Sequence, residues 1–292
     1  MLEVTLQDTG PATEALIAFL HENGYSPVTK SGFSETGEAV VFYLDTARWK
    51  AFRNRLARKI GEISTLFGIP RPALSVRPIK PEVWQNAWKT YARTYRLGRD
   101  LIIKPSWRTL RKPPDCPVIT IDPQMAFGTG GHASTRLCLR HLIRLHKKAP
   151  ACLVRVLDVG TGSGILAIAA VQLGANRVEA VDIDPDALAV ARENALKNGA
   201  AGKIRFYEGS IERASGTYGL ILANLRFPLL VPLLEKTAGH LTPSGILVIS
   251  GLLREQGTAF LEAATDAGLK PVSKRASGDW ISFSLVRRRP RA

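Results

Sequence analysis

Three cysteines, two methionines and five histidines are all that 292 residues contain of those types. Cys116, Cys138 and Cys152 are odd in number, and their separations of 22 and 14 residues fit neither a CxxC redox pair nor a zinc knuckle. A disulfide framework and a metal-built domain are therefore excluded, and the thiols read as reduced packing residues. Long apolar runs are also missing: the longest, 165–171, is far shorter than the roughly 20 residues a bilayer crossing needs. The opening MLEVTLQDTG has no basic stretch followed by an apolar one, so nothing marks it for secretion and the expected compartment is the cytoplasm, with no membrane partner. Acidic residues are scarce, 25 against 40 Lys and Arg, which leaves a charge of +15. Because 45% of the residues are hydrophobic, the chain can bury a sizeable core and is no disordered basic tail. Its length suits about two domains.

The positive charge is uneven. Residues 1–80 carry 10 basic and 8 acidic side chains, residues 81–150 carry 13 and 4, and residues 151–292 carry 17 and 13. In the middle segment Trp84, Trp88, Tyr91, Tyr95 and Trp107 interleave with Lys89, Arg93, Arg96, Arg99, Lys104 and Arg108. Basic side chains neutralise phosphates and aromatic faces stack on bases, which makes a nucleic-acid surface one reading. No RNA-binding signature accompanies the charge, so a solvated helix and linker is the preferred one.

Residues 1–80 parse as strand 2–6, helix 12–20, extended stretches 26–31 and 39–44, a helix from Asp45 or Thr46 to about Leu66, and strand 73–79. Trp49, Phe52, Leu56 and Ile60 share one face of the second helix. The order is that of a split βαβ unit, so a small N-terminal ferredoxin-like α+β domain is expected, without a catalytic constellation and suited to gripping a partner. Prolines at 70, 72, 78 and 81 bracket the boundary, and a linker helix over 81–92 follows. Extended segments at 100–104 and 117–121 come next. From 133 onward helices and buried strands alternate: helices 133–147, 165–173, 185–198, 228–239 and 254–267, and strands 153–159, 177–183, 204–208, 218–223, 245–250, 271–275 and 280–286. Strands that are mostly apolar, such as 153–159, are covered on both faces, so residues 93–292 read as a Rossmann-like, doubly wound α/β sheet. Such sheets bind ligands at the carboxyl ends of the strands.

The strand VRVLDV runs into Gly160-Thr-Gly162-Ser-Gly164 and then a helix. A dinucleotide loop, G-x-G-x-x-G, needs a small third residue at position 165, where this chain has Ile165. Asp158, two residues before the first glycine, would repel a pyrophosphate but suits a ligand carrying an ammonium and a sulfonium. S-adenosylmethionine has those cations and no phosphate. Asp182 ends the second strand 22 residues after Gly160, where an acidic residue reaches a ribose diol. Asp184 and Asp186 flank Pro185 and are assigned to the helix N-terminus instead. Gly209-Ser210 falls where an adenine edge would come.

Asn224 closes the fourth strand. An amide there offers an acceptor that holds an amine by its hydrogens, so that the lone pair faces the methyl carbon; the competing reading is a cap on the following helix. Upstream, residues 122–135 form a glycine-dense stretch entering a helix, which suits backbone wrapped closely over a ligand. His132 in it is open to two readings, a base or a structural hydrogen-bond partner, the second being the commoner.

The combination WQNAWKTY (84–91), KPSW (104–107), DPQMAFGTGGHAST (122–135), LDVGTGSGILAIAA (157–170), VDIDPDAL (181–188) and ANL (223–225) resembles the bacterial methyltransferases of large-subunit ribosomal protein eleven. The likeness covers about residues 80–286, and the loop at 122–135 is its discriminating part; Gly131 and Ala133 stand at that loop's variable places. It implies a seven-stranded class I methyltransferase sheet and a substrate-binding N-terminal domain. It also implies S-adenosylmethionine as co-substrate without a metal, and contacts to it from Thr135, Gly160, Asp182 and Asn224, to which the reading of the loop adds Asp158 and Gly162. The implied reaction is in-line methyl transfer to lysine ε-amino and N-terminal α-amino groups of that ribosomal protein. A methyltransferase of another protein lysine, or an RNA-binding or RNA-modifying protein of the same fold, is the alternative. The implied substrate is itself basic and would be repelled at long range, so docking falls to an acidic patch or to nearby ribosomal RNA. A monomer is expected.

Overall fold

The computed structural model describes residues 2–23, 25, 27–34, 37–78, 93–111, 114–122 and 130–288. The chain divides into two compact units, Met1–Tyr91 and Ala92–Ala292. The linker helix expected at 81–92 and the greater part of the glycine-dense stretch, 123–129, lie outside the described residues.

The first unit runs β1 (Leu2–Gln7), α1 (Thr13–Glu22), β2 (Val28–Ser34), β3 (Gly37–Leu44), α2 (Thr46–Phe67) and β4 (Ala73–Pro78). Its sheet has the order β2-β3-β1-β4 with every pairing antiparallel, the arrangement of a split βαβ unit in which β3 lies between β1 and β2. Helix α2 starts where the Asp45 carboxylate accepts the Arg48 N–H at 2.7 Å, and stops at Gly68, whose φ of 62° ends the helix in a left-handed cap. Phe52, Leu56, Ile60 and Ile63 recur at helical spacing and bury against Val4, Leu6 and Phe42 of the sheet. Trp49 is only partly buried at the rim of that core.

The second unit opens with a small sheet of β5 (Tyr95–Leu97), β6 (Leu101–Lys104) and β7 (Val118–Thr120). There follow α3 (Ala133–Lys148), β8 (Arg155–Val159), α4 (Ile165–Gln172), β9 (Arg177–Asp182), α5 (Pro185–Lys197), β10 (Ile204–Glu208) and β11 (Tyr218–Asn224). The remaining elements are α6 (Phe227–Leu230), α7 (Leu234–Gly239), β12 (Leu241–Leu253), α8 (Gly257–Asp266), β13 (Leu269–Ser277) and β14 (Trp280–Arg287). The large sheet has the order β10-β9-β8-β11-β12-β14-β13. Its strands from β10 to β12 are parallel, while β14 runs antiparallel to both neighbours. Alternate residues divide between two cores: Val156, Val178, Leu220 and Val248 pack with Leu142 of α3 and Ile168 of α4, and Leu157, Val181, Ile221 and Leu247 pack with Leu230 of α6 and Phe260 of α8. Strand order reverses between β8 and β11, so the crevice for a ligand opens at the carboxyl ends of those two strands.

Three elements differ from the sequence expectation. Strand β5 is new; three residues are too few for a period of two to stand out. The helix expected over 228–239 is broken into α6 and α7 by a 3-10 turn, Val231–Leu233, because Pro232 has no N–H to continue the ladder. The strand expected at 245–250 reaches from Leu241 to Leu253, and its pairing with β11 jumps from Leu241 to Ile246, so that Thr242-Pro-Ser-Gly245 bulges out.

Two buried polar groups hold the sheet away from that crevice. Glu179 of β9, 1% exposed, accepts the Tyr218 hydroxyl at 2.7 Å and the Arg155 guanidinium at 2.8 Å near the amino ends of the strands. Burial disfavours its charge, but those two partners outweigh it and hold the carboxyl below its ordinary value. His141 of α3 bonds Ser282 Oγ at 3.0 Å and Ser284 Oγ at 2.7 Å, joining the helix to β14. Burial, then the Arg275 charge, push its pKa down to about 4, so the ring is neutral at physiological pH.

Candidate active site

The loop after β8 is shaped by its hydrogen bonds. The N–H groups of Gly160 and Thr161 both donate to the Val181 carbonyl, at 2.9 and 3.0 Å, which ties the loop to the end of β9. Gly162 N–H donates to Asp182 Oδ2 at 2.8 Å, and Asp184 N–H to Asp182 Oδ1 at 3.1 Å. Asp182 is half-buried at the rim, adjacent to Gly209, whose N–H reaches the Asp182 carbonyl at 2.8 Å. Two glycines are required here. Gly160 has φ 71° and lies against the Leu225 side chain, where a Cβ would come within 2.4 Å of Cδ2. Gly164, at φ 81°, lets α4 start so close to α5 that a Cβ would stand 3.3 Å from the Ala191 Cα.

Asp158 is 1% exposed. Its Oδ2 accepts the Thr161 hydroxyl at 2.7 Å and the Ala167 N–H at 3.1 Å, while Oδ1 is buried without a partner. Burial pushes the pKa up to about 7 and the Asp182 charge adds to the rise, against the two donors. The carboxyl is therefore held less fully by the loop than its depth demands, with one oxygen left to attract a cation.

Asn224, the last residue of β11, has the same asymmetry. Its Nδ2 donates to Thr135 Oγ1 at 3.1 Å, and its Oδ1 is buried without a partner. Thr135 is fully buried in the first turn of α3. The helix after Asn224 has Arg226 at its N-cap with no side-chain cap bond, so the competing role as a helix cap is not the one Asn224 takes. Asp184, by contrast, does cap α5, accepting the Asp186 N–H at 2.9 Å.

His132 caps α3: Nδ1 accepts the Ser134 N–H at 3.3 Å and lies 2.7 Å from Ser134 Oγ, while its ring makes a T-shaped contact with Trp280 at a centroid distance of 4.5 Å. Burial and the Arg136 charge lower its pKa. Those contacts describe a structural residue. His132→Ala is expected to cost about 1 kcal/mol of stability, the value of one helix cap, and to retain at least about a tenth of wild-type turnover; complete loss with unchanged cofactor binding would make it a base.

Two contributors escaped the sequence. Thr161 supplies the donor that fixes Asp158, and only its place between two glycines hints at it. Asn194, fully buried in α5, donates to the Ser163 carbonyl at 2.9 Å and accepts the Asp122 N–H at 3.4 Å, linking the glycine loop to the start of the 122–135 stretch. An amide in mid-helix is the signal that was available.

The residues fit S-adenosylmethionine. Asp158 presents an unpartnered carboxylate oxygen for its ammonium, and Asp182 a rim carboxylate for its ribose. The Gly160–Gly164 backbone leaves room for close approach, and Asn224 adds a free acceptor at the strand end. Among the described residues no group of three or more His, Cys, Asp and Glu is placed to hold a metal ion.

Comparison with known proteins places this geometry. The family model for "Ribosomal protein L11 methyltransferase (PrmA)" matches residues 3–288. The ribosomal protein L11 methyltransferase of Pelotomaculum thermopropionicum is 41% identical over 231 residues, 79% of this chain and 74% of that protein. The one from Pelobacter propionicus is 41% identical over 247 residues, 84% of this chain and 79% of that protein. Among solved structures, the ribosomal protein L11 methylase of Lactobacillus delbrueckii subsp. bulgaricus matches with a TM-score of 0.62 at 33% identity, covering 67% of this chain and 99% of that one. With sheet order, glycine loop and sequence in agreement, the chain belongs to the ribosomal protein L11 methyltransferase family.

Proposed function

We propose that this protein transfers methyl groups from S-adenosylmethionine to lysine ε-amino and N-terminal α-amino groups of ribosomal protein L11, acting as a monomer in the cytoplasm. The observation that carries the chemistry is the buried, unpartnered Oδ1 of Asn224 beside the glycine loop. Bound S-adenosylmethionine supplies a methyl carbon activated by its sulfonium. Asp158 holds the ammonium end, Asp182 the ribose hydroxyls, and the backbone at Gly160 and Gly162, with Thr135, completes the seat. The Met1–Tyr91 unit grips the protein substrate; its sequence is nearly neutral, which spares it the repulsion that the rest of the chain exerts on a basic partner.

Asn224 Oδ1 accepts a hydrogen of the incoming amine and so turns the lone pair toward the methyl group. A neutral amine is needed. For lysine that costs about 4.6 kcal/mol at pH 7 from a pKa near 10.4, against about 1 kcal/mol for an α-amino group near 7.7. Burial at the strand end favours the neutral form, and most of the acceleration comes from alignment, so no indispensable general base is expected.

The direct test mixes the protein with labelled S-adenosylmethionine and either purified ribosomal protein L11 or naked ribosomal RNA, followed by residue-by-residue mass spectrometry of the product. Methylated lysines and a methylated amino terminus are expected; label on RNA alone overturns the proposal. For the cofactor seat, Asp182→Ala is expected to weaken S-adenosylmethionine binding about tenfold to a hundredfold in calorimetry, the value of one or two charge-assisted hydrogen bonds, without unfolding the chain. Unchanged affinity would remove Asp182 from the ribose site.

A further inference from the structure

A second concave surface lies along the far half of α3. It encloses about 320 Å³ between that helix, the β5–β6 turn and β13, and Arg140, Arg144, Lys147, Lys148 and Arg275 line it with a single acid, Asp100. Lys147 already pairs with Asp100 at 2.5 Å. Among the described residues no ion pair reaches the other four cations. Arg140, Arg144, Lys147 and Lys148 are exposed. Arg275 reaches the groove from the sheet: it stands opposite Ser282 across β13 and β14, and Ser282 faces α3 through its bond to His141. Its Nε is buried with no hydrogen-bond partner. Burial, then the charges of Arg144 and Arg140, lower its pKa.

We propose that this groove binds the phosphodiester backbone of RNA. Arg140, Arg144 and Lys148 recur every fourth residue, so they stand in line along one helix face over about 12 Å. A nucleic-acid duplex brings about one charge per 1.7 Å of axis, dense enough to meet every cation of such a row at once, whereas an acidic peptide brings carboxylates singly. The groove begins five residues beyond Thr135 on α3 and ends 13 beyond it, roughly 8–20 Å along the axis from the methyl-transfer site, so a bound strand leaves that site open. RNA held there would keep a cationic enzyme near a cationic substrate that repels it. The inference goes beyond the methyl-transfer proposal and stands or falls separately, because RNA binding is read without any methyl transfer.

The test uses the full chain and a fluorescein-labelled 20-base-pair RNA duplex of mixed sequence, with anisotropy measured from 50 to 200 mM KCl. The variant Arg140→Gln/Arg144→Gln/Lys148→Gln changes only exposed side chains. It is expected to lower the slope of log affinity against log salt by about 2–3 and the affinity at 100 mM at least about tenfold. Arg275→Gln is expected to weaken binding on its own. The same charge removed from exposed sites of α2, in Lys50→Gln/Arg53→Gln/Arg58→Gln, is expected to change affinity less than about threefold. An unchanged slope in the groove variant, or an equal loss in the α2 variant, overturns the proposal. So does poly-L-glutamate binding as tightly as the duplex, which would make the groove a seat for an acidic polypeptide. Methylation of free ribosomal protein L11 by the groove variant, run in parallel, reports separately on the active site.

Discussion

Asn224→Leu is expected to lower the rate of methyl transfer, at saturating S-adenosylmethionine, by a factor on the order of 10²–10³, or about 3–4 kcal/mol of transition-state stabilisation. Leucine keeps the branched shape, though with bulkier methyl groups, but removes the acceptor that orients the amine, and it leaves Thr135 Oγ1 without the Asn224 amide at 3.1 Å. Single-turnover kinetics with ribosomal protein L11 separate this from a loss of cofactor affinity, because the deficit persists when the cofactor saturates. A saturated rate within threefold of wild type would confine Asn224 to a packing or cofactor-binding role. Asn224→Asp gives a second signature. A carboxylate in the same place favours the ammonium form of the substrate, so its rate profile is expected to move to higher pH, a shift that loss of packing would not produce.

Asp158 is expected to make cofactor binding pH-dependent. Its carboxyl is neutral below about pH 7 in the free protein, chiefly through burial. A cationic ligand favours the ionised form, so binding releases a proton at low pH. Affinity then falls nearly tenfold for each unit below about 7, until the pKa of the bound state is reached. Between pH 7.5 and 6 the dissociation constant is expected to rise roughly sixfold in wild type, the Asp158 effect being partly offset by the ligand's own amino group. Asp158→Asn should bind more weakly at pH 7.5 and lose the weakening at low pH. The ligand's own α-amino group, near pKa 7.7–8.0, gains charge on acidification and acts in the opposite sense, so it cannot mimic the result. A flat wild-type profile would show that Asp158 does not face the cation. Stability follows the same group: a carboxyl raised from its ordinary 3.8 to about 7 by folding favours the folded state below both values and loses that contribution as pH rises from about 4 to about 7, on the order of 4 kcal/mol in the free protein. The cofactor offsets part of this when it binds.

The fold was legible because its signals are local and repeated. Apolar strands such as 153–159 alternating with capped helices dictate a covered parallel sheet, and the turn residues of the first 80 positions dictate two βα repeats there. The glycine loop was legible for the same reason, since the positive φ at Gly160 and Gly164 is a demand of the local backbone, although the Leu225 and Ala191 side chains that also crowd these positions lie far off in sequence. What stayed hidden depends on contacts between distant positions. The bond from Asn224 to Thr135 joins residues 89 apart, and nothing at either site names the other. Asp158 was expected to face a ligand, but its position within the strand does not reveal that one oxygen is spent on Thr161 and Ala167. The break between α6 and α7 turned on Pro232 alone, against an apolar period that continues across it. Charge behaved likewise: the surplus in residues 81–150 was countable, yet the groove also takes Arg275 from β13, and only folding brings that residue to α3.

Strand β13 has a consequence of a different kind. It is the outermost member of the large sheet, and its free edge would template the strand of a neighbouring molecule. Pro271 removes one amide from that edge, the pairing with β14 slips between Pro271 and Ser273, and exposed Lys270 and Lys274 repel an approaching copy of the same strand. Basic side chains on this strand therefore guard its edge against fibril growth, and neutralising Lys270 and Lys274 would trade solubility for aggregation through β13 while leaving the fold intact.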